Sequence, residues 1–157
     1  MDGVGVRAAT LADTPAMLAL ETLFPSDRMS ARSVRRFIAS PGARVFVAVR
    51  NREVIGNLVL LLRTGSSAAR IYSVVVSPDA RGLGLGHRLV DAAEREARAL
   101  GRDRVTLEVR ADNAAARALY ARRGYVVERE LPGFYDDGAD GLRLALRLAP
   151  ATTSRLS

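Results

Sequence analysis

The stretch from Ile71 to Val109 limits the possible folds more than any other part of the chain. A β-branched run, Ile71 to Ser77, leads into a loop of arginine and glycine. Leu85 to Leu100 then carries Leu89, Ala93, Ala97 and Leu100 at helical spacing and stops at Gly101, and Val105 to Val109 is again strand-like. Strand, helix and strand in that order predict a parallel crossover. Upstream, strands follow one another without a helix: Arg44 to Arg50 and Glu53 to Thr64, joined by a tight hairpin at Asn51 and Arg52, then Arg70 to Ser77 after a turn at Gly65 to Ala68. These pair antiparallel. Val4 to Ala8 reads as a first strand. Asp13 with Pro15 caps and starts a helix with the stripe Met17, Leu18, Leu20 and Leu23, and Ser30 to Ala39 is a second helix. Asn113 to Arg123 is a further helix ended by Gly124, and Tyr125 to Glu130 with Leu142 to Leu148 forms a closing strand pair. The expectation is a mixed α/β fold: a central mixed sheet of about six to seven strands with helices on both faces, splayed into a cleft where its parallel and antiparallel parts meet.

The 157 residues fit one domain, 1–157, with no linker, repeat or low-complexity stretch. The longest aliphatic run, Val54 to Leu62, is broken by Gly56 and Asn57, far short of the roughly 20 residues of a spanning helix. Met1 to Thr10 lacks the apolar core of a signal peptide, so a cytoplasmic address with no membrane association is expected. The absence of cysteine excludes thiol nucleophiles, disulfides and thiolate metal sites, and His87 as the one histidine excludes a multi-histidine site, so no metal is expected. The net charge of +7 comes entirely from arginine, for the sequence has no lysine. Pairs such as Glu94 with Arg98 and Asp91 with Arg95 read as a solvated helix face, and aromatic residues do not interleave with the arginines. The basic charge thus reads as surface composition, with attraction to an acidic ligand or ribosomal surface as the other reading and nucleic acid as an unlikely direct ligand.

The loop Arg81-Gly82-Leu83-Gly84-Leu85-Gly86-His87 opens the helix that follows the strand. Glycines at alternate positions remove β-carbons where a helix leaves backbone N–H groups unpaired, and the helix end adds positive potential to the charges of Arg81 and Arg88. That is a pyrophosphate site. Position 87 is histidine where both the dinucleotide fingerprint and the P-loop need glycine, and Arg88 stands where the P-loop needs lysine. His87 reads as a capping or phosphate-side residue rather than a base.

Arg81, Gly84 and Gly86 match R-x-x-G-x-G, which resembles the coenzyme A signature of the GNAT superfamily of acetyltransferases. A second block, Leu107-Glu108-Val109-Arg110, Asn113, Ala116, Leu119-Tyr120 and Gly124-Tyr125, resembles the L-E-V-R-x-x-N-x-x-A-x-x-L-Y-x-x-x-G-[FY] pattern of the same superfamily, in the version of the ribosomal-protein-alanine N-acetyltransferases. The resemblance implies acetyl-CoA as cofactor, held by Val74, Val75 and Val76 of the strand, by Arg81, Gly82, Leu83, Gly84, Leu85, Gly86, His87 and Arg88 of the loop, and by Asn113 and Tyr120. It implies Glu108 as proton acceptor, directly or through water, and Tyr120 as proton donor to the departing thiolate. Acetyl transfer needs such groups: a neutral amine attacks, its proton is removed, and the developing oxyanion and thiolate are stabilised. Glu108 projects opposite to its apolar neighbours Leu107 and Val109, where burial favours its protonated form; alternatively it is a structural carboxylate paired with Arg110. Tyr120 lies two helical turns beyond Asn113, on the same side, or packs as a core aromatic beside Leu119 and Tyr125.

Phe134 and Tyr135, followed by Asp136, Asp137 and Asp140, stand where the resembled enzymes carry substrate-holding tyrosines, with phenylalanine replacing the first; or they cover a sheet edge. An α-amine, at a pKa of about 7.7 to 8.0, is partly neutral near pH 7.5, whereas lysine near 10.4 is not. The expected acceptor is therefore a protein or peptide N-terminus, with a polyamine, amino acid or aminoglycoside as the alternative, and a silent acyl-CoA or ribosome-binding module as the alternative of another kind. The chain is expected as a monomer or homodimer.

Overall fold

Seven strands form one sheet in the computed structural model, which describes residues 3–24, 28–80 and 82–149. They are β1 (Val4–Ala8), β2 (Ala43–Arg50), β3 (Glu53–Leu61), β4 (Ala68–Val76), β5 (Arg104–Arg110), β6 (Val126–Leu131) and β7 (Gly141–Arg147), in the order β1-β2-β3-β4-β5-β7-β6. The helices are α1 (Thr14–Glu21), α2 (Ala31–Ala39), α3 (Leu85–Ala99) and α4 (Ala114–Arg122). β4 and β5 pair parallel across the α3 crossover, while the other neighbours pair antiparallel. The β2–β3 hairpin turns at Asn51 and Arg52, both at positive φ (51° and 68°), the backbone that a two-residue connection of this hand requires.

Two apolar layers follow from the alternation along β3. Leu58 and Leu60 face α3, where Leu89, Val90, Ala93 and Ala97 are all fully buried, while Val59 faces Met17 of α1 and Val34 of α2. The sheet is thus covered on both sides, as the sequence pattern predicts. Closing the sheet with β7 between β5 and β6 is a long-range choice, made because β7 carries Leu142, Leu144 and Ala145 buried at a central position while β6 remains an exposed edge.

Several side chains differ from their expected places. Leu100 and Leu23 are 42% and 54% exposed, since α3 ends at Ala99 and α1 ends at Glu21, before either residue reaches the stripe. β3 likewise ends at Leu61 rather than Thr64. The Asp13 side chain does not cap α1. It reaches back to Thr10 N–H at 2.7 Å and accepts from both Arg7 terminal nitrogens, closing a short 3-10 turn, Leu11–Asp13, against β1. Asp91 and Arg95 form the expected surface pair at 2.9 Å, but Glu94 turns inward. It accepts from Arg123 (2.7 and 3.1 Å) and from the Tyr125 hydroxyl (2.9 Å), tying α3 to the end of α4. Its spacing to Arg98 was favourable, yet a buried carboxylate goes where desolvated donors are.

Arginine also serves the backbone. One terminal nitrogen of Arg102 donates to the carbonyls of Arg63, Ser66 and Ala68, fixing the turn before β4 against the turn before β5.

Candidate active site

The sheet opens at one seam. β4 and β5 pair in register only from Ala68 with Arg104 to Ile71 with Leu107, although both strands continue. Against β3, Tyr72 is the extra residue of a bulge, with Ser73 opposite Val59 and Ile71 opposite Leu60, so β4 bends where its pairing with β5 stops. Beyond the seam no strand among the described residues pairs with that side of β4. Ser77 N–H donates to Ile55 O at 2.8 Å, and antiparallel alternation then turns the N–H and C=O of Val75 and Ser73 to β3 and those of Val74 and Val76 towards β5. With β5 splayed away, Val74 and Val76 present strand-like hydrogen-bonding groups to the gap.

The gap widens towards the C-terminal ends of both strands, where β4 leads to α3 and β5 to α4. Gly82 and Gly84 have φ of 87° and 70°, a backbone that side chains resist, and a β-carbon at either would meet open space. Gly84 is the N-cap of α3, and the ladder of that helix begins with Arg88 N–H donating to Gly84 O at 3.1 Å. The N–H groups of Leu85, Gly86 and His87 precede that ladder and form the donor collar of the helix start. Gly86 also faces α4: a β-carbon there would lie 2.9 Å from Leu119 Cδ1, so a larger residue makes the end of that side chain move. Arg81 lies outside the described residues. The expected charge of Arg88 is drawn elsewhere, since its guanidinium donates to Val4 O at 3.0 Å, because β1 supplies a carbonyl beside the helix. His87 is the third residue of α3 rather than its cap, lining a hollow with Val6, Phe46 and Asp91.

A cleft of about 570 Å³ runs from the seam and gathers Val74, Val75, Glu108, Asn113, Tyr120, Phe134 and Tyr135. Asn113 caps α4, its Oδ1 accepting from Ala116 N–H at 3.0 Å. Tyr120 is 7% exposed and packs edge-on against Tyr125, with ring centres 5.2 Å apart. Burial is the main cause that pushes its phenol up to about 12, with Glu94 adding to the rise and Arg123 opposing it. Tyr120 is therefore both a packed aromatic and a protonated hydroxyl at the cleft. Phe134 and Tyr135 meet at right angles, and Arg110 stacks 4.9 Å over the Tyr135 ring while pairing with Asp137 at 2.5 Å.

Glu108 has neither the bare apolar setting nor the Arg110 partner expected of it. Arg70 holds Oε1 at 2.8 Å and Arg143 donates to Oε2 at 3.0 Å, with the Glu108 side chain 7% exposed. Arg143 is its register partner on β7, and cross-strand neighbours lie closer than residues two apart on one strand. The cleft also contains groups that the sequence reading missed. Arg70, Tyr72 and Phe24 line it, and so does Glu21 from the last turn of α1. Glu21 is 4% exposed; its Oε1 accepts from Met29 N–H at 2.8 Å, and its Oε2 has no partner among the described residues. A carboxylate on an otherwise apolar helix face was the available signal.

Residues 14–125 match the model of the acetyltransferase (GNAT) family. An IAA acetyltransferase from Azospirillum brasilense is 34% identical over 56% of this chain and 58% of its own length, so the chain spans less than two thirds of that relative. N-alpha-acetyltransferase MAK3 of Arabidopsis thaliana is 29% identical over 84% of this chain and 70% of its own. Among solved structures, the ribosomal-protein-alanine N-acetyltransferase from Brucella melitensis superposes with a TM-score of 0.80 at 25% identity, covering 92% of this chain and 99% of that one. With the splayed seam and the glycine turn in place, the chain belongs to the GNAT family of acetyltransferases, whose acetyl donor is acetyl-CoA.

Proposed function

We propose that this chain transfers the acetyl group of acetyl-CoA to a primary amine, and that the amine is the N-terminal α-amine of a protein or peptide. The observation that carries the reading is the seam itself. Val74 and Val76 offer strand groups that no described strand pairs and that suit the amides of the pantetheine arm, and the same gap leads to the positive-φ glycines and helix-start N–H groups of α3, which suit a diphosphate. When bound, acetyl-CoA supplies an activated acyl group and a sulfur leaving group. The chain's part is to aim and to move protons. The Val76 N–H polarises the acetyl carbonyl, Asn113 bounds the arm, and Tyr120, still protonated well above neutral pH, donates to the sulfur. Glu108 serves the amine through a water, since both of its oxygens already accept from guanidiniums. The aromatic pair Phe134 and Tyr135 flanks the acceptor's entry.

The N-terminal reading is supported by the likeness to MAK3, an N-alpha-acetyltransferase, and to the Brucella ribosomal-protein-alanine N-acetyltransferase, and by the mild basicity of an α-amine. The IAA acetyltransferase relative favours a small-molecule acceptor as the second reading. Among the described residues no helix is long and apolar enough to cross a membrane. A screen of thiol release from acetyl-CoA against peptides of varied N-terminus, spermidine and an aminoglycoside tests the assignment. Peptides lead in kcat/KM if it is right, and a preference for spermidine or the aminoglycoside refutes it. Glu108→Gln lowers turnover strongly with acetyl-CoA affinity nearly intact; equal loss of both makes Glu108 structural instead.

A further inference from the structure

We infer that Glu21 is the carboxylate that engages the acceptor's amine in this cleft, with Oε2 as the atom that receives its proton. The inference rests on the acetyl-transfer reading above and divides the work within it: Glu21 takes the amine's proton, while Glu108, with both oxygens held by guanidiniums, positions the water beside the amine.

The cleft contains two buried carboxylates, and they differ in what their oxygens already do. Glu108 gives one oxygen to Arg70 and the other to Arg143. Glu21 gives Oε1 to the Met29 N–H and leaves Oε2 without a partner among the described residues, although the residue is 4% exposed. A buried carboxylate oxygen lacking a donor carries a local penalty of the kind found at catalytic groups, where a bound molecule supplies the donor. An ammonium or amine N–H is that donor, and the cleft is where an acceptor must lie to reach the acetyl group. Placement agrees: Glu21 comes from α1, on the sheet face opposite α3, so it meets the seam from the side away from the glycine turn. Cofactor and acceptor then approach the acetyl carbon from opposite faces.

The charged and titratable groups around Glu21 are Arg28 on its own side, and Arg70, Glu108, Arg110 and the tyrosines 72, 120 and 135 along the cleft. Desolvation outweighs the Met29 N–H and Arg28, raising Glu21 above the ordinary carboxylate value, which suits a group that must accept a proton near neutral pH. In the step, the neutral amine nitrogen bonds to the acetyl carbon and the carbon–sulfur bond breaks with its electron pair leaving on sulfur. One proton of the new ammonium passes to Glu21 Oε2, and the sulfur takes a proton from Tyr120 or solvent.

Glu21→Gln separates this role from a purely structural one. The amide oxygen still accepts from Met29 N–H, so a loop-holding role predicts wild-type kcat for Glu21→Gln and loss only in Glu21→Ala. The proposal predicts that Gln and Ala variants both lose about 100-fold or more in kcat with the best peptide of the screen. Coenzyme A affinity stays at the wild-type value, while calorimetric titration of that peptide into the coenzyme A complex shows about tenfold weaker binding. Glu21→Asp, which withdraws the acid by one methylene, gives a second test should the Gln variant not fold: at least a tenfold loss in kcat supports the role, and wild-type kcat in either variant overturns it. A wild-type chain that transfers acetyl to no amine overturns the parent reading as well, whereas an active wild type with an equally active Glu21→Gln variant overturns this inference alone.

Discussion

Replacing Glu94 with alanine tests whether the α3–α4 contact is held by a buried charge cluster. Glu94 is 7% exposed and accepts from Arg123 at 2.7 and 3.1 Å and from Tyr125 at 2.9 Å. Removing it leaves the Tyr125 hydroxyl without that acceptor and Arg123, whose side chain is 16% exposed, with Asp91 at 3.4 Å and the His87 carbonyl at 3.2 Å. Breaking one side of a buried ion pair typically costs about 3 to 5 kcal/mol. The contacts remaining to Arg123 place the loss at the lower end, near 3 kcal/mol. In a domain of this size each kcal/mol moves the midpoint by roughly 2 to 4 °C, so the expected fall in Tm is about 6 to 12 °C. Thermal melts and urea titrations of the purified variant measure both quantities, and the urea slope should not change. A loss below about 1 kcal/mol would refute the reasoning, because it would make the cluster no better than a solvated pair.

Three further outcomes follow from single positions. Gly84→Ala places a side chain at φ 70° with nothing for it to touch, so it costs about 1 to 2 kcal/mol of backbone strain and weakens coenzyme A binding about tenfold by calorimetry; unchanged affinity would show that the helix start does not hold the cofactor. Tyr120, raised to about 12, keeps its proton through ordinary alkaline pH. The kcat profile should therefore show no loss from this group between about pH 9 and 11, and Tyr120→Phe should lower kcat without moving any alkaline limb that does appear. Asp13, held near 2 chiefly by Arg7, contributes stability that is fully present above the ordinary aspartate value near 4 and lost as pH falls through about 2. Urea midpoints of wild type and Asp13→Asn should thus differ by a constant amount above pH 4 and converge in stronger acid.

What could be read from the sequence was local. The Asn51-Arg52 hairpin and the stops at Gly101 and Gly124 all state their backbone geometry within a few residues, and each is where the pattern placed it. The glycine turn was legible for the same reason, and Gly86, whose N–H belongs to the donor collar, also stands where a β-carbon would crowd Leu119. Partners chosen across the sheet were not legible. Glu108 took Arg143 and Arg70 over Arg110, and Glu94 took Arg123 over Arg98, because register and helix docking bring distant residues nearer than neighbours along one strand or one exposed helix face. Glu21 stayed hidden because its place on the apolar face of α1 marks it as buried without telling that it overlooks the seam.

The brevity of the β4–β5 ladder has a mechanical consequence. Four rungs join the two halves of the sheet, and past Ile71 no backbone bond between these strands limits how far they stand apart. The helices that follow these strands meet where Gly86 faces Leu119 and where Glu94 takes Arg123 and Tyr125, so those contacts set the aperture. In the function proposed above, the cofactor arm that bridges the gap takes the place of the missing strand and ties the two halves together.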